Sequence, residues 1–322
     1  MTQPLTERLL FHDMEPDTSC LYDDVVNGLS RKPRSIPPKY FYDEQGSRLF
    51  DAICETLEYY PTRTEISIIK ENLGEICAYL GKECILIEPG SGASQKVRLL
   101  LDALEPHTYV PLDISSNYLY SIARNLVSEY PRLNVVAACV DYTAPINLPD
   151  YLPHKRRVAF FPGSSIGNFE PEEAVLFLNN VLNLVRPDGC LLVGVDLKKS
   201  PDTLNRAYND AQGITAAFNL NILTHINREL NTDFNIDGFE HKAFYNELPG
   251  RVEMHLVSKT SQAVTLGGKV FEFKRGESIH TENSYKYSVS EFHSLARRAG
   301  FSTERTWTDR NGLFSIHYLK GS

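Results

Sequence analysis

The chain has 322 residues, 42% of them hydrophobic and 23% charged, with a formal net charge of -8 and a pI near 5.6. That length exceeds a typical single core and predicts two domains or one with a large insertion, while the acidic balance argues against a nucleic-acid partner. No run of about 18 apolar residues occurs, which argues against a membrane span. The N-terminal MTQPLTERLLFHDMEPD carries acids and lacks the apolar stretch of a signal peptide, so a cytoplasmic protein is expected. The longest basic run, Lys155-Arg156-Arg157, leads directly into an apolar strand candidate. Cysteines 20, 54, 77, 84, 139 and 190 are scattered without a Cys-x-x-Cys pair and are expected to be reduced. The nine histidines include no His-x-x-x-His or His-Glu-x-x-His, so no metal is expected.

In chain order, residues 1–60 do not fit the order of a parallel sheet. The pattern begins at residues 84–104, CILIEPGSGASQKVRLLLDAL: an apolar run, an acid and a glycine turn, then a helical pattern carrying Leu99, Leu100 and Leu104. Such a strand-turn-helix unit lets a ligand approach a helix N-terminus past bare glycine backbone. A phosphate loop would need Gly-x4-Gly-Lys-Ser/Thr, and a nicotinamide fingerprint would need a third glycine where Gln95 stands. An acid two residues before Gly-x-Gly is instead the pattern of S-adenosylmethionine (SAM) sites in doubly wound methyltransferases. Taken alone, the segment is equally compatible with an ordinary glycine-rich turn.

The alternation then continues as in a parallel sheet wrapped by helices. Strands are predicted over 109–114, 134–140, 157–162 and 190–197, with helices over 116–130 and 171–185 between them. Pro171-Glu172-Glu173 is a good helix start, with proline in the first turn and acids at the positive end of the dipole. The tail supplies a helix over 289–299 and two strands, 301–308 and 313–319, joined at Asp309-Arg310-Asn311-Gly312, a strong hairpin signal.

The segment between differs in character. TAAFNLNILTHINREL is helical, and 251–258, 263–266 and 269–273 read as antiparallel strands. The expected fold is thus α/β, a Rossmann-like, doubly wound class-I SAM-methyltransferase sheet over 61–198 and 287–322 with a C-terminal β-hairpin. A second, α+β substrate-binding domain is expected from 1–60 and 199–286.

Ligands of doubly wound sheets bind past the carboxyl ends of the strands. Asp113 closes the second strand of the pattern, where an acid can take both hydroxyls of a ribose, and Asp141 and Tyr142 close the third, where adenine would lie. Aspartate at a strand end is also a common turn former or helix cap. The three in correct order behind the glycine turn are harder to dismiss.

Longer strings carry a resemblance over nearly the whole chain: PPKYFYDEQGSRLFD at 37–51, EYYPTRTE at 58–65, the glycine turn, PLDIS, FPGSSIGNFEPEE, AYNDAQGITAAFNLNIL, FEHKAFYNE, RVEMHL and TENSYKY. The sequence resembles the histidine Nα-methyltransferases of ergothioneine biosynthesis, which use SAM to convert L-histidine to its trimethylammonium betaine, hercynine. EYYPTRTE and GSSIGN are specific strings rather than features of methyltransferases in general.

Carried over by position, the resemblance implies SAM contacts at Tyr42, Gly90, Ser91, Gly92, Lys96, Asp113, Asp141 and Tyr142, with S-adenosyl-L-homocysteine as the spent product. It implies that Tyr59 meets the histidine amine and acts in catalysis, that Asn168 and Tyr208 meet the carboxylate, and that Glu282 and Ser284 read the imidazole. Gly163, Thr215, Phe218 and Met254 complete the implied substrate set, and a monomer is expected. Three mild departures are Pro89 in place of a small apolar residue, tyrosine for phenylalanine at 142, and Asn283 between the two imidazole readers.

Each assignment has a plainer alternative. Tyr59 could be a core aromatic in Tyr59-Tyr60-Pro61, Lys96 a solvated lysine, Asn168 a cap, and Thr281-Glu282-Asn283-Ser284 a solvated turn. Two rival functions stand beside histidine methylation. One keeps the chemistry on another aromatic amino acid or an indole amine, against which Glu282 and Ser284 argue; the other is a SAM-binding regulatory module without activity.

Overall fold

A computed structural model describes residues 2–6, 8–14, 20–92, 95–146, 148 and 152–321. Ala93 and Ser94 of the glycine-turn string therefore lie outside the described residues. In chain order the elements are β1 (Thr2–Thr6), β2 (Leu9–Asp13), α1 (Cys20–Ser30), β3 (Arg34–Ser35), α2 (Glu44–Glu55), α3 (Tyr60–Leu80), β4 (Ile85–Pro89), α4 (Gln95–Leu104), β5 (Thr108–Asp113), α5 (Ser116–Glu129), β6 (Asn134–Cys139), β7 (Arg157–Phe161), α6 (Pro171–Val185) and β8 (Cys190–Asp196). There follow α7 (Pro201–Ala207), α8 (Ile214–Leu230), β9 (Phe239–Asn246), β10 (Arg251–Ser258), β11 (Gln262–Leu266), β12 (Lys269–Phe273), β13 (Ser278–Tyr285), α9 (Val289–Arg298), β14 (Phe301–Thr308) and β15 (Phe314–Gly321). The chain divides into two compact units, Met1–Pro16 with Pro61–Lys198 and Lys286–Ser322, and Asp17–Tyr60 with Lys199–Tyr285.

The first unit is built on a sheet of order β1-β2-β6-β5-β4-β7-β8-β15-β14. From β2 to β8 neighbouring strands run parallel, and β15 and β14 close the far edge as an antiparallel hairpin. Strand order turns back between β4 and β7, which opens a ligand crevice at their carboxyl ends. Alternate residues of each strand serve opposite faces. Leu86, Tyr109, Val135 and Val158 pack with Ile69, Leu100 and Leu126 of α3, α4 and α5 on one side. Ile85, Ile87, Val110 and Leu112 pack with Leu184 of α6 on the other. Helix α6 begins as its sequence predicts, with Pro171 in the first turn and a capping box between Glu170 and Glu173.

The N-terminus departs from the sequence expectation. The sequence pattern places residues 1–60 as a block in the second domain, yet β2 pairs in parallel with β6 from Leu9↔Val135 to Asp13↔Cys139 and extends the sheet. Without it the backbone N–H and C=O groups of β6 would form a bare edge, and the short LLFHD run is enough to cover them.

The second unit is α+β. Its main sheet has the order β3-β13-β10-β9, α8 packs on β9 and β10, and β11 and β12 form a separate hairpin. Strands β9 and β13 escape a reading by apolar alternation because the apolar residues of FEHKAFYN do not alternate and SIHTENSY is largely polar. Between β10 and β13 the register slips, with Met254 opposite Glu282 but His255 opposite His280. Thr281 is the extra residue of this bulge. It turns the side chains of Glu282 and Ser284 to one face and that of His280 to the other.

Candidate active site

In the first unit the glycine turn is stitched to the neighbouring strand ends. The N–H groups of Gly90 and Ser91 donate to the Leu112 carbonyl at 2.7 and 3.1 Å, and that of Gly92 donates to Asp113 Oδ2 at 3.1 Å. Asp113 also accepts from the Ser115 N–H at 3.0 Å, and its backbone carbonyl accepts from the Val140 N–H at 2.9 Å. The predicted SAM residues Gly90, Ser91, Gly92, Asp113, Asp141 and Tyr142 thus meet where β4, β5 and β6 end.

Gly90 sits at φ +67°, and a Cβ there would lie 3.2 Å from the Tyr142 ring, so backbone and ring are in direct apposition. A Cβ on Gly92, at φ +47°, would meet nothing within 4 Å among the described residues. The Asp141 side chain accepts from the Thr143 N–H and hydroxyl at 3.0 and 2.6 Å, so it also shapes its own turn.

Sequence reading missed the residue that joins two of its candidates. Glu65 of α3, fully buried, pairs with Lys96 at 2.6 Å and accepts the Gly163 N–H at 2.9 and 3.1 Å on its two oxygens. Its one visible signal was its place at the end of EYYPTRTE. Asn168 lies close by in sequence, ending a 3-10 turn over Ser165–Asn168 that follows Ser164 in the left-handed region. The Ser164 hydroxyl accepts the Asp196 N–H at 2.9 Å and so fixes this loop to the end of β8.

The charge of this unit suits SAM, whose sulfonium and ammonium are cationic and whose carboxylate is anionic. Glu65, Glu88 and Asp113 interact electrostatically around the strand ends, and the Lys96 ammonium lies among them. Burial dominates Glu88 and pushes its pKa up to about 8, although the Tyr109 hydroxyl donates to it. Asp113 is likewise raised by burial.

The raised pKa of Glu88 ties the stability of this unit to pH. Its proton is held in the folded chain at pH values where the unfolded chain has released it, so its favourable contribution is complete in acid and fades as pH rises through about 8. In Glu88→Gln that fall should vanish, and urea midpoints at about pH 5 and pH 8.5 should lie closer together than in the parent. Equal pH dependence in the two proteins would place the titration elsewhere.

In the second unit the predicted residues form two adjoining clusters. Tyr42 packs edge-on against Phe218 and Phe50, at 5.8 and 5.9 Å between ring centres. Phe50, which sequence reading did not single out, continues to Tyr59 at 6.4 Å, and Tyr59 meets Tyr208 at 6.1 Å. Tyr59 is buried among aromatic rings, as its plainer reading held, and belongs to the candidate cluster as well. The Tyr208 hydroxyl donates to Ser284 Oγ at 2.8 Å. Glu282, Ser284, Met254, Thr215 and Phe218 are all buried, so Thr281-Glu282-Asn283-Ser284 is a strand within the unit and not a solvated turn.

Further residues hold these in place. Asp210 accepts from the backbone N–H groups of Ile214 and Thr215 at 2.9 and 2.7 Å, capping α8. His241 bridges the Tyr208 carbonyl, at 2.9 Å, and Asn219, at 2.8 Å; Asn219 Oδ1 in turn accepts the Thr281 hydroxyl at 2.7 Å. The bulge, α8 and Tyr208 are thereby tied into one network. No spacing rule could expose it, because its members come from four separate elements.

Among the described residues, no helix is long and apolar enough to cross a membrane. A family model for histidine-specific, SAM-dependent methyltransferases matches residues 21–321. The chain is 40% identical to the histidine N-alpha-methyltransferase of Mycolicibacterium smegmatis, over 91% of this chain and 92% of the relative. It is 31% identical to ergothioneine biosynthesis protein 1 of Neurospora crassa, covering 90% of this chain but 33% of that longer protein. A 4-dimethylallyltryptophan N-methyltransferase of Aspergillus fumigatus is 28% identical, with 90% of each chain covered. With its parallel sheet, closing hairpin and glycine turn at the switch point, the chain belongs to the histidine-specific, SAM-dependent methyltransferase family.

Proposed function

We propose that this protein transfers three methyl groups in succession from SAM to the α-amine of L-histidine, giving hercynine in ergothioneine biosynthesis, as a cytoplasmic monomer that binds no nucleic acid. The observation that carries the substrate is Glu282, a carboxylate buried opposite Met254 with Ser284 two residues along the same face. A carboxylate on this face can accept an imidazole N–H, which leucine and phenylalanine do not offer. In this reading Ser284 serves the other ring nitrogen, and Tyr208, already bonded to Ser284, reaches the substrate carboxylate together with Asn168. The resemblance adds Gly163, Thr215, Phe218 and Met254 to the substrate contacts.

SAM, when bound, supplies a methyl group on a sulfonium that leaves as a neutral thioether. The glycine turn, Asp113 and Lys96 would hold its amino-acid and ribose portions, and Asp141, Tyr142 and Tyr42 its remaining polar and aromatic surface. For the protein, the main task is positioning, since in-line displacement from a charged leaving group needs little acid-base assistance. The nucleophile must be a neutral amine, so a proton leaves before each transfer that starts from an ammonium. Tyr59 orients that amine by hydrogen bonding, and water or a carboxylate receives the proton, with no dedicated base.

The direct test is incubation with SAM and a panel of amino acids, read as mass gains of one, two or three methyl groups. Histidine is expected to gain three. The panel should include tyrosine, tryptophan and 4-dimethylallyltryptophan, because an indole also offers an N–H to a buried carboxylate; preference for one of these would replace histidine as the substrate. For the cofactor, Asp113→Ala is expected to weaken SAM binding by about tenfold or more, as loss of hydrogen bonds to a charged group implies. Calorimetry with unchanged SAM affinity would mean that the ribose lies elsewhere.

A further inference from the structure

The face of the β10–β13 pair opposite Glu282 and Ser284 gathers three metal-ligating side chains. Glu253 and His255 alternate along β10, and the bulge at Thr281 brings His280 of β13 opposite His255. One ligand atom from each residue lies within 4.8 Å of the others. Each contributes a donor that zinc accepts, two imidazole nitrogens and a carboxylate oxygen. Nε2 of His255 faces Glu253 Oε2 at 3.1 Å, and Nε2 of His280 is buried with the Asn283 side chain beside its ring.

The ring geometry fits a shared ion. With Zn–N bonds of about 2.0–2.1 Å, two imidazoles on one tetrahedral centre hold their ring centres roughly 5 Å apart. The centres of His255 and His280 are 5.0 Å apart, and the rings are tilted by 44°. Surrounding contacts orient the ligands as second partners do in metal sites. Arg251 and Asn246 donate to Glu253 Oε1 at 2.9 and 3.1 Å, which leaves Oε2 directed to His255 at 3.1 Å, and Phe244 stacks on the His255 ring. Magnesium and calcium prefer all-oxygen ligand sets and do not suit this one.

We propose that Glu253, His255 and His280 form a binding site for one divalent transition-metal ion of the zinc class. Bound there, the ion ties β10 to β13 across the bulge that directs Glu282 and Ser284 to the other face. Sequence spacing gives no warning of it, because the two histidines come from strands 25 positions apart and pair only through the slipped register.

The test uses the tag-free full chain, stripped with a chelator, dialysed against zinc chloride and assayed for metal by mass spectrometry. About one zinc per chain is expected. His255→Ala and His280→Ala should each lower retention by more than about tenfold, while His154→Ala, at an exposed position, should not. Cobalt(II) titrated into the unaltered chain should give the visible bands of a low-symmetry, nitrogen-ligated ion, a reading independent of how the variants fold. Absence of zinc, retention equal in all variants, or cobalt without those bands would each overturn the site.

Discussion

Replacing Glu282 by leucine should lower kcat/KM for histidine by roughly 10- to 100-fold and leave SAM affinity unchanged. The range is that of a lost hydrogen bond to a charged group, about 1.5–3 kcal/mol, expressed as a rate ratio. Leucine at 282 fills the buried position without a polar group, and the acceptor for the imidazole N–H disappears; the SAM affinity of the variant reports that the chain is folded. Discrimination should fall with it, because leucine and phenylalanine must bury an apolar side chain against the Glu282 carboxylate with no N–H to offer it, a penalty the variant no longer imposes. Glu282→Gln keeps an acceptor of similar shape and should retain more histidine activity. Competition between histidine and leucine, measured beside SAM calorimetry, separates substrate reading from cofactor binding. A preference for histidine equal to that of the parent would remove Glu282 from the imidazole site.

That this residue could be singled out at all depended on resemblance, since TENSYKY carries the polarity of a loop. Its burial comes from tertiary packing. Met254 stands opposite, the Thr281 bulge sets the facing, and Asn219 of α8 accepts the Thr281 hydroxyl at 2.7 Å. The first unit was far more legible. Its parallel strands are short apolar runs separated by helical periods, and Pro171, Gly189 and Asn311-Gly312 mark where elements begin and end. Glycine turn, Asp113 and Asp141 fall at consecutive strand ends, so a local motif and the order of the sheet pointed to the same place.

What stayed hidden is non-local. Glu65 looks like any helical acid until Gly163 and Lys96 are brought to it, and Phe50 is one aromatic among sixteen phenylalanines until it touches Tyr42 and Tyr59. Strand β2 was lost for a related reason. Its partner β6 lies more than a hundred residues further along the chain, and five residues carry too little periodicity to announce the pairing.

The largest effect on stability should come from Lys286. Its ammonium lies 2.8 Å from Asp196 at the end of β8, and the two side chains are 1% and 0% exposed. Removing one partner of such a pair leaves the other's charge in a poorly solvated interior, which costs about 3–5 kcal/mol. Lys286→Met should therefore shift the denaturation midpoint sharply downward. Replacing both residues, Lys286→Met with Asp196→Asn, should recover much of the loss because no unbalanced charge remains.

The site should respond as well as the fold. The Asp196 N–H holds Ser164, and Ser164 opens the turn that ends at Asn168, assigned to the substrate carboxylate. If β8 carries that loop as a rigid support, the single variant should raise KM for histidine at temperatures where it is still folded, and the double variant should bring KM back toward the parent value. A single variant as stable as the parent would show that water or another group already neutralises Asp196. A destabilised single variant with parental KM would uncouple the buried pair from the placement of Asn168.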